Sequence, residues 1–115
     1  MIKRSGDMKT EEKVNMRGGD GSVLVTTALE KGEYKGAARL VATLTLEKGC
    51  SIGEHVHEKE EEIFIVLKGT ATYNDNGETV TLHTGDSCLC LGSQKHSIRN
   101  DCDETLVVAA LILTY

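Results

Sequence analysis

His55 and His57 stand two residues apart, and Glu62 follows five residues later, just ahead of the apolar run Ile63-Phe64-Ile65-Val66-Leu67. On an extended strand, residues i and i+2 share a face, so the two imidazoles can aim at one point. A third histidine, His96, lies far downstream in a second glycine-bounded strand segment. Imidazole nitrogens combined with a carboxylate oxygen suit divalent first-row metals. Three of the 4 histidines in the chain fall into this arrangement, which argues against mere surface decoration.

The elements that must position these groups read as strands. Residues 1–22 are polar and glycine-rich and are expected to form an N-terminal arm, partly irregular, with a short edge strand. Residues 23–29 have strand composition. Residues 37–46 alternate, with Leu40, Ala42, Leu44 and Leu46 on one face and Arg39, Val41, Thr43 and Thr45 on the other. Further strands are expected over 63–67, 70–73, 78–82, 87–91, 96–100 and 105–115. Asn76-Gly77 is the strongest short hairpin signal available. No segment shows a sustained 3.6-residue period, and turn signals recur every 8–12 residues or so, as in all-β sandwiches and barrels. The chain has no proline, so its 12 glycines, with Asn and Asp, must make the turns.

At 115 residues this is one small domain. A net charge of -5 without a basic cluster disfavours nucleic acid, because phosphate neutralisation needs a Lys/Arg surface. No run approaches the roughly 18 apolar residues of a membrane span, and residues 1–13 lack the apolar stretch of a signal peptide. A cytoplasmic location is the expectation, with Cys50, Cys88, Cys90 and Cys102 as reduced thiols. Cys88 and Cys90 share a strand face and read as small buried hydrophobes.

Around the histidines the glycines are spaced to a pattern: Gly49, five residues, His55, one, His57, four, Glu62, six, Gly69. This resembles the first motif of the cupin superfamily at every defining position. The second motif matches in part: Gly85, ten residues, His96, three, Asn100, with Leu91 where proline is usual and Ser93 where glycine is usual. The resemblance implies an all-β, double-stranded β-helix (jelly-roll) barrel over residues 23–115. It also implies a homodimer, often with strand exchange through an arm such as 1–22. Apolar residues on both faces of several strands fit that, since such strands need a cover on each side.

By the same resemblance His55, His57, Glu62 and His96 would ligate one divalent ion inside the barrel. Mn²⁺ or Fe²⁺ would be the physiological choice, and Ni²⁺, Co²⁺ or Zn²⁺ would also fit. Glu62 shares its face with Phe64 and Val66, so its carboxylate enters an apolar interior where a cation offsets the cost of burial. Glu61 then faces outward. The rest of the run Glu58-Lys59-Glu60-Glu61 reads as solvated loop, His83 as a surface residue, Asn100 as a turn-fixing side chain and Arg39 as outward-facing.

The expected pocket wall is small and apolar: Leu40, Ala42, Leu44, Phe64, Val66, Ile98, Val108 and Ala110. Two functions fit. One is a small-molecule enzyme whose ion acts as a Lewis acid or O₂ site toward a ligand with chelating oxygens. The wall offers no second acid or base, which favours dioxygenase or isomerase-like chemistry over decarboxylation. The other is a non-catalytic cupin that binds or senses a metal or small ligand.

Overall fold

The structure, a computed structural model, describes residues 1–115. Ten strands follow in order: β1 (Lys9–Val14), β2 (Ser22–Leu29), β3 (Ala38–Leu46), β4 (Ser51–Val56), β5 (Glu60–Lys68), β6 (Thr70–Asp75), β7 (Glu78–His83), β8 (Ser87–Cys90), β9 (Lys95–Arg99) and β10 (Leu106–Thr114). Two antiparallel sheets form, one of six strands in the order β1-β2-β3-β10-β5-β8 and one of four in the order β4-β9-β6-β7. This is the expected all-β jelly-roll barrel. No helix is long and apolar enough to cross a membrane.

The arm contributes more than an edge. β1 pairs with β2 in register along its full length, Lys9 opposite Thr27 through Val14 opposite Ser22. A 3₁₀ turn, Met16–Gly18, then lies against β4. The predicted hairpin is present: Asn76 (φ 51) and Gly77 (φ 102) both take positive φ between β6 and β7, as a type I′ turn requires.

Alternation places Leu44, Leu46, Phe64, Val66, Leu106, Val108 and Ala110 inside, packed against Ile52, Ala71, Tyr73 and Ile98 of the second sheet. Phe64 and Tyr73 meet edge to face, with centroids 6.2 Å apart. Asn100, fully buried, closes the β9–β10 turn by donating from Nδ2 to the carbonyls of Leu46 and Glu104 and accepting from the Cys102 amide.

One boundary differs from expectation with consequences for the site. The strand carrying the apolar run begins at Glu60 rather than Ile63. Glu60 and Glu62 therefore share a face, and the acidic run is not the solvated loop its composition implies. The outer face of the six-stranded sheet carries an apolar patch over β3, β10, β5 and β8. Val41, Leu111, Ile63 and Leu89 lie opposite one another across four strands, with Ala109 and Ile65 in the next row.

Candidate metal centre

His55 comes from β4, His57 lies one residue past the end of that strand, Glu62 from β5 and His96 from β9. β4 and β9 pair His55 directly with His96, so two histidines distant in sequence become neighbours across one ladder rung. His57 and His96 are buried, Glu62 is buried, and His55 is half-buried.

The four side chains converge. His57 Nε2 lies 3.1 Å from both His96 Nε2 and Glu62 Oε1. His55 Nε2 lies 3.2 Å from each of the other two Nε2 atoms. His96 Nε2 to Glu62 Oε1 is 3.1 Å, while His55 Nε2 to the same oxygen is 4.0 Å. The group is close enough to hold one metal ion. Glu61, the competing carboxylate, is not part of it.

Each imidazole is held from behind. His55 Nδ1 donates to the Gly53 carbonyl at 2.7 Å, and His57 Nδ1 donates to Glu60 Oε2 at 2.6 Å. His96 Nδ1 lies 2.8 Å from Tyr73 Oη, and Phe64 stacks on the His96 ring at 5.3 Å. The Gly53 carbonyl and the Glu60 carboxylate can only accept, which puts a proton on Nδ1 of His55 and His57, and all three Nε2 atoms face one centre, the arrangement that metal-binding histidines use. The donor set thus fits a divalent cation.

The electrostatics follow from burial and these contacts. Burial lowers the His55 pKa below the ordinary histidine value. The Glu62 hydrogen bond raises that of His57. Burial pushes the Glu62 carboxyl up, but hydrogen bonds from His57 and His96 bring it net below the usual range. Arg39 beside Glu60, with His57 behind it, holds that carboxyl down at about 2. Burial drives the Tyr73 hydroxyl well above its ordinary value and the Cys90 thiol up to about 11. The four cysteines are free thiols.

A cavity of about 280 Å³ opens onto the cluster. Leu40 and Leu44 of the expected wall line it, joined by Val25, Ile52, Ile112 and Met16. Ala42, Phe64, Val66, Ile98, Val108 and Ala110 do not reach it, because they pack against one another in the core. Alternation identifies the inward side of a strand but not which end of the barrel is left open. The rim carries Glu11, Lys13, Arg17 and Arg39, three of them from the arm.

Glu60 and Arg39 were not expected here. Arg39, predicted to face outward, grips Glu60 with two hydrogen bonds. The ladder shifts register here, with Ile112 opposite Leu40 and Leu113 opposite Ala38, so Arg39 is an extra residue at an irregularity and simple alternation does not set its face. The signal for Glu60 was the i, i+2 relation to Glu62, hidden by the acidic composition of the run.

A family model described as a cupin domain matches residues 42–113. An oxalate-binding protein of Thermotoga maritima is 38% identical over 113 residues, covering 98% of this chain and 93% of that protein. The crystal structure of a predicted oxalate decarboxylase from Thermotoga maritima superposes with a TM-score of 0.95 at 37% identity, covering 100% of both chains. A putative sugar phosphate isomerase from Acidithiobacillus ferrooxidans gives a TM-score of 0.80 at 22% identity over 99% of this chain and 75% of that one, a likeness of fold alone.

Proposed function

From the premise that this chain belongs to the cupin domain family, we propose that it holds one divalent cation on His55, His57, Glu62 and His96 and captures a small chelating anion of the oxalate class. The observation that carries this reading is the set of separations among the four donor atoms. A cation about 2.1 Å from each donor sets neighbouring donors about 3.0 Å apart and opposite donors about 4.2 Å apart. Five of the six separations are 3.1–3.2 Å, and the sixth, His55 to Glu62, is 4.0 Å. Those separations would let His55, His57, Glu62 and His96 hold one cation between them, and a bound cation would offer its charge to a ligand that presents two oxygens.

Mn²⁺ and Fe²⁺ suit a set of three imidazoles and one carboxylate, and Co²⁺, Ni²⁺ and Zn²⁺ bind the same donors. The names of the two Thermotoga maritima relatives support an oxalate-class ligand. The ion supplies Lewis acidity toward bound oxygens. The chain's own residues fix the donors, exclude water through Leu40, Leu44, Ile52 and Ile112, and set the charge at the rim.

Turnover is the second reading, favoured by the charged rim: Glu11 and Lys13 bring titratable groups that the apolar wall lacks. For the oxalate dianion the balanced reaction is cleavage of the C–C bond to carbon dioxide and formate, with one proton taken up from solvent to become the C–H of formate. Dioxygenase or isomerase-like chemistry would draw on the same ion with a different ligand. The protein works as a homodimer, its apolar outer sheet face covered by a second copy.

The test is to strip the protein with a chelator, reload it with Mn²⁺ and titrate oxalate by calorimetry. One ion per chain is expected, with oxalate binding only to the loaded form and neither event surviving His57→Ala. Oxalate recovered unchanged identifies a binding protein, and formate identifies an enzyme. Equal oxalate affinity with and without metal sinks the proposal.

A further inference from the structure

Three cations stand on the rim of the cavity, and two already have partners. Arg39 is held by both oxygens of Glu60, and Lys13 Nζ lies 2.9 Å from Glu11 Oε2. The Arg17 guanidinium pairs with no carboxylate, and Arg17 is one of the residues lining the cavity that His55, His57 and Glu62 also line. A guanidinium is a rigid fork of N–H donors matched to a carboxylate. An unpaired one beside a chelating site is a receptor for anionic oxygen.

The backbone beneath Arg17 gives a second, independent reason. Arg17 takes φ 54 and ψ 32, the left-handed region that residues with a β-carbon avoid. Such a conformation persists only where surrounding structure imposes it, and it gathers at ligand clamps. The imposing structure is a tight apposition with β4. A β-carbon on Gly53 would stand 2.1 Å from the Arg17 carbonyl oxygen, and one on Gly19 would stand 2.2 Å from the Ser51 carbonyl oxygen. The Ser51 amide donates to Asp20 O at 2.9 Å, and the Asp20 amide donates to Ser51 Oγ at 2.9 Å. Gly53 also supplies the carbonyl that orients His55. One residue therefore braces both a candidate ligand to the ion and the backbone that carries Arg17.

Charge balance says which ligand this arrangement accepts. A dication with ionised Glu62 carries one net positive charge, and the Arg39–Glu60 and Lys13–Glu11 pairs add none. A monoanionic chelator would neutralise the site without Arg17. A dianion would leave it one charge negative, and Arg17 restores neutrality. In a partly dry cavity an unbalanced charge is expensive.

We infer that Arg17 is a specificity-determining residue that reads the second negative charge of the chelating ligand, so that the site selects dicarboxylates over monoanionic chelators of equal size. This rests on the metal-dependent reading above. Oxalate and oxamate provide the comparison, since they share size and chelating geometry and differ by one charge. With the Mn²⁺-loaded protein, calorimetry is expected to show that Arg17→Gln weakens oxalate tenfold or more and oxamate less than threefold. Mn²⁺ affinity should stay within twofold of the wild type, and Arg17→Lys should recover most of the oxalate affinity. Arg17→Gly relieves the left-handed backbone, so it should melt no lower than the wild type while losing the same preference for oxalate. Oxalate binding by Arg17→Gln within twofold of the wild type, with Mn²⁺ bound normally, overturns the inference. Failure of the wild type to take up Mn²⁺ is a different result: it removes the metal reading itself.

Discussion

Arg39 and Glu60 meet in a bidentate pair, Nε to Oε1 at 2.7 Å and Nη2 to Oε2 at 2.8 Å, and that same Oε2 accepts the Nδ1 proton of His57 at 2.6 Å. The pair ties a surface strand position to a buried corner of the cluster. Its effect is to fix the His57 ring and keep its Nε2 lone pair on the centre. Glu60 does this without itself reaching the cavity.

Replacing Glu60 with Gln keeps the shape but removes the charge that both partners address. Loss of such a partner commonly weakens a metal site by about 10- to 100-fold. Glu60→Gln is expected to lower Mn²⁺ affinity by that order, with Arg39→Met lowering it less and the circular dichroism unchanged. Calorimetric titration of the stripped protein measures both. Wild-type affinity in Glu60→Gln would mean that packing alone holds His57.

The acid limb of stability follows from the same contact. Glu60 titrates at about 2 in the folded chain against an ordinary value of 4.5, so its folded pKa is depressed. Its stabilising contribution is complete above pH 4.5 and drains away as the pH falls toward 2. For the metal-free protein, urea midpoints of wild type and Glu60→Gln should differ most at pH 6, draw together below pH 4.5 and converge only once the pH has fallen below about 2. A constant gap across that range would show that the ion pair adds nothing to folding.

Why the four converging side chains were legible while their supports were not has a physical basis. His55, His57, Glu62 and His96 announce themselves through residue type and through a strand period of 2, which a short segment suffices to display. Glu60 sits in a run of acids with low strand preference, and the pairing of Leu113 with Glu61 and of Thr114 with Glu60 draws that run into β5. Tyr73 reaches His96 because β6 and β9 are neighbours, with Asp75 opposite His96, a register that no local signal encodes. The docking of Arg17 depends on Gly19 and Gly53 meeting from segments far apart in the chain. Both glycines are visible in the sequence, but their apposition exists only in the fold.

Ser93 occupies the left-handed region at φ 71, at the position where the second motif usually has glycine. Its amide donates to the His57 carbonyl at 2.7 Å, so the turn cannot simply relax away. A β-carbon in that region costs roughly 1 kcal/mol, partly offset because glycine loses more freedom on folding. Ser93→Gly is expected to stabilise by about 0.5 kcal/mol, a rise in Tm of roughly 2–4 °C for a domain of this size. Mn²⁺ affinity should not fall. A lower Tm would assign the serine hydroxyl a stabilising role that outweighs its backbone.

Ile65 lies at the centre of the outer face of the six-stranded sheet, opposite Ala109 of β10 and one row from Ile63, Leu111 and Val41. Leu67 and Leu89 extend the same surface and stay nearly half exposed in the single chain. A contiguous apolar face of this kind marks an interaction surface on a soluble domain. A second copy of the chain would cover it with identical residues related by a two-fold axis, where one substitution acts twice. Ile65→Lys then places two like charges in a desolvated contact. Light scattering is expected to give twice the 12.5 kDa chain mass for wild type and the single-chain mass for Ile65→Lys. Mn²⁺ binding should persist in the variant, because Ile65 points away from the cluster while Phe64 and Val66 point inward. A wild-type mass of one chain would leave this face without its proposed cover.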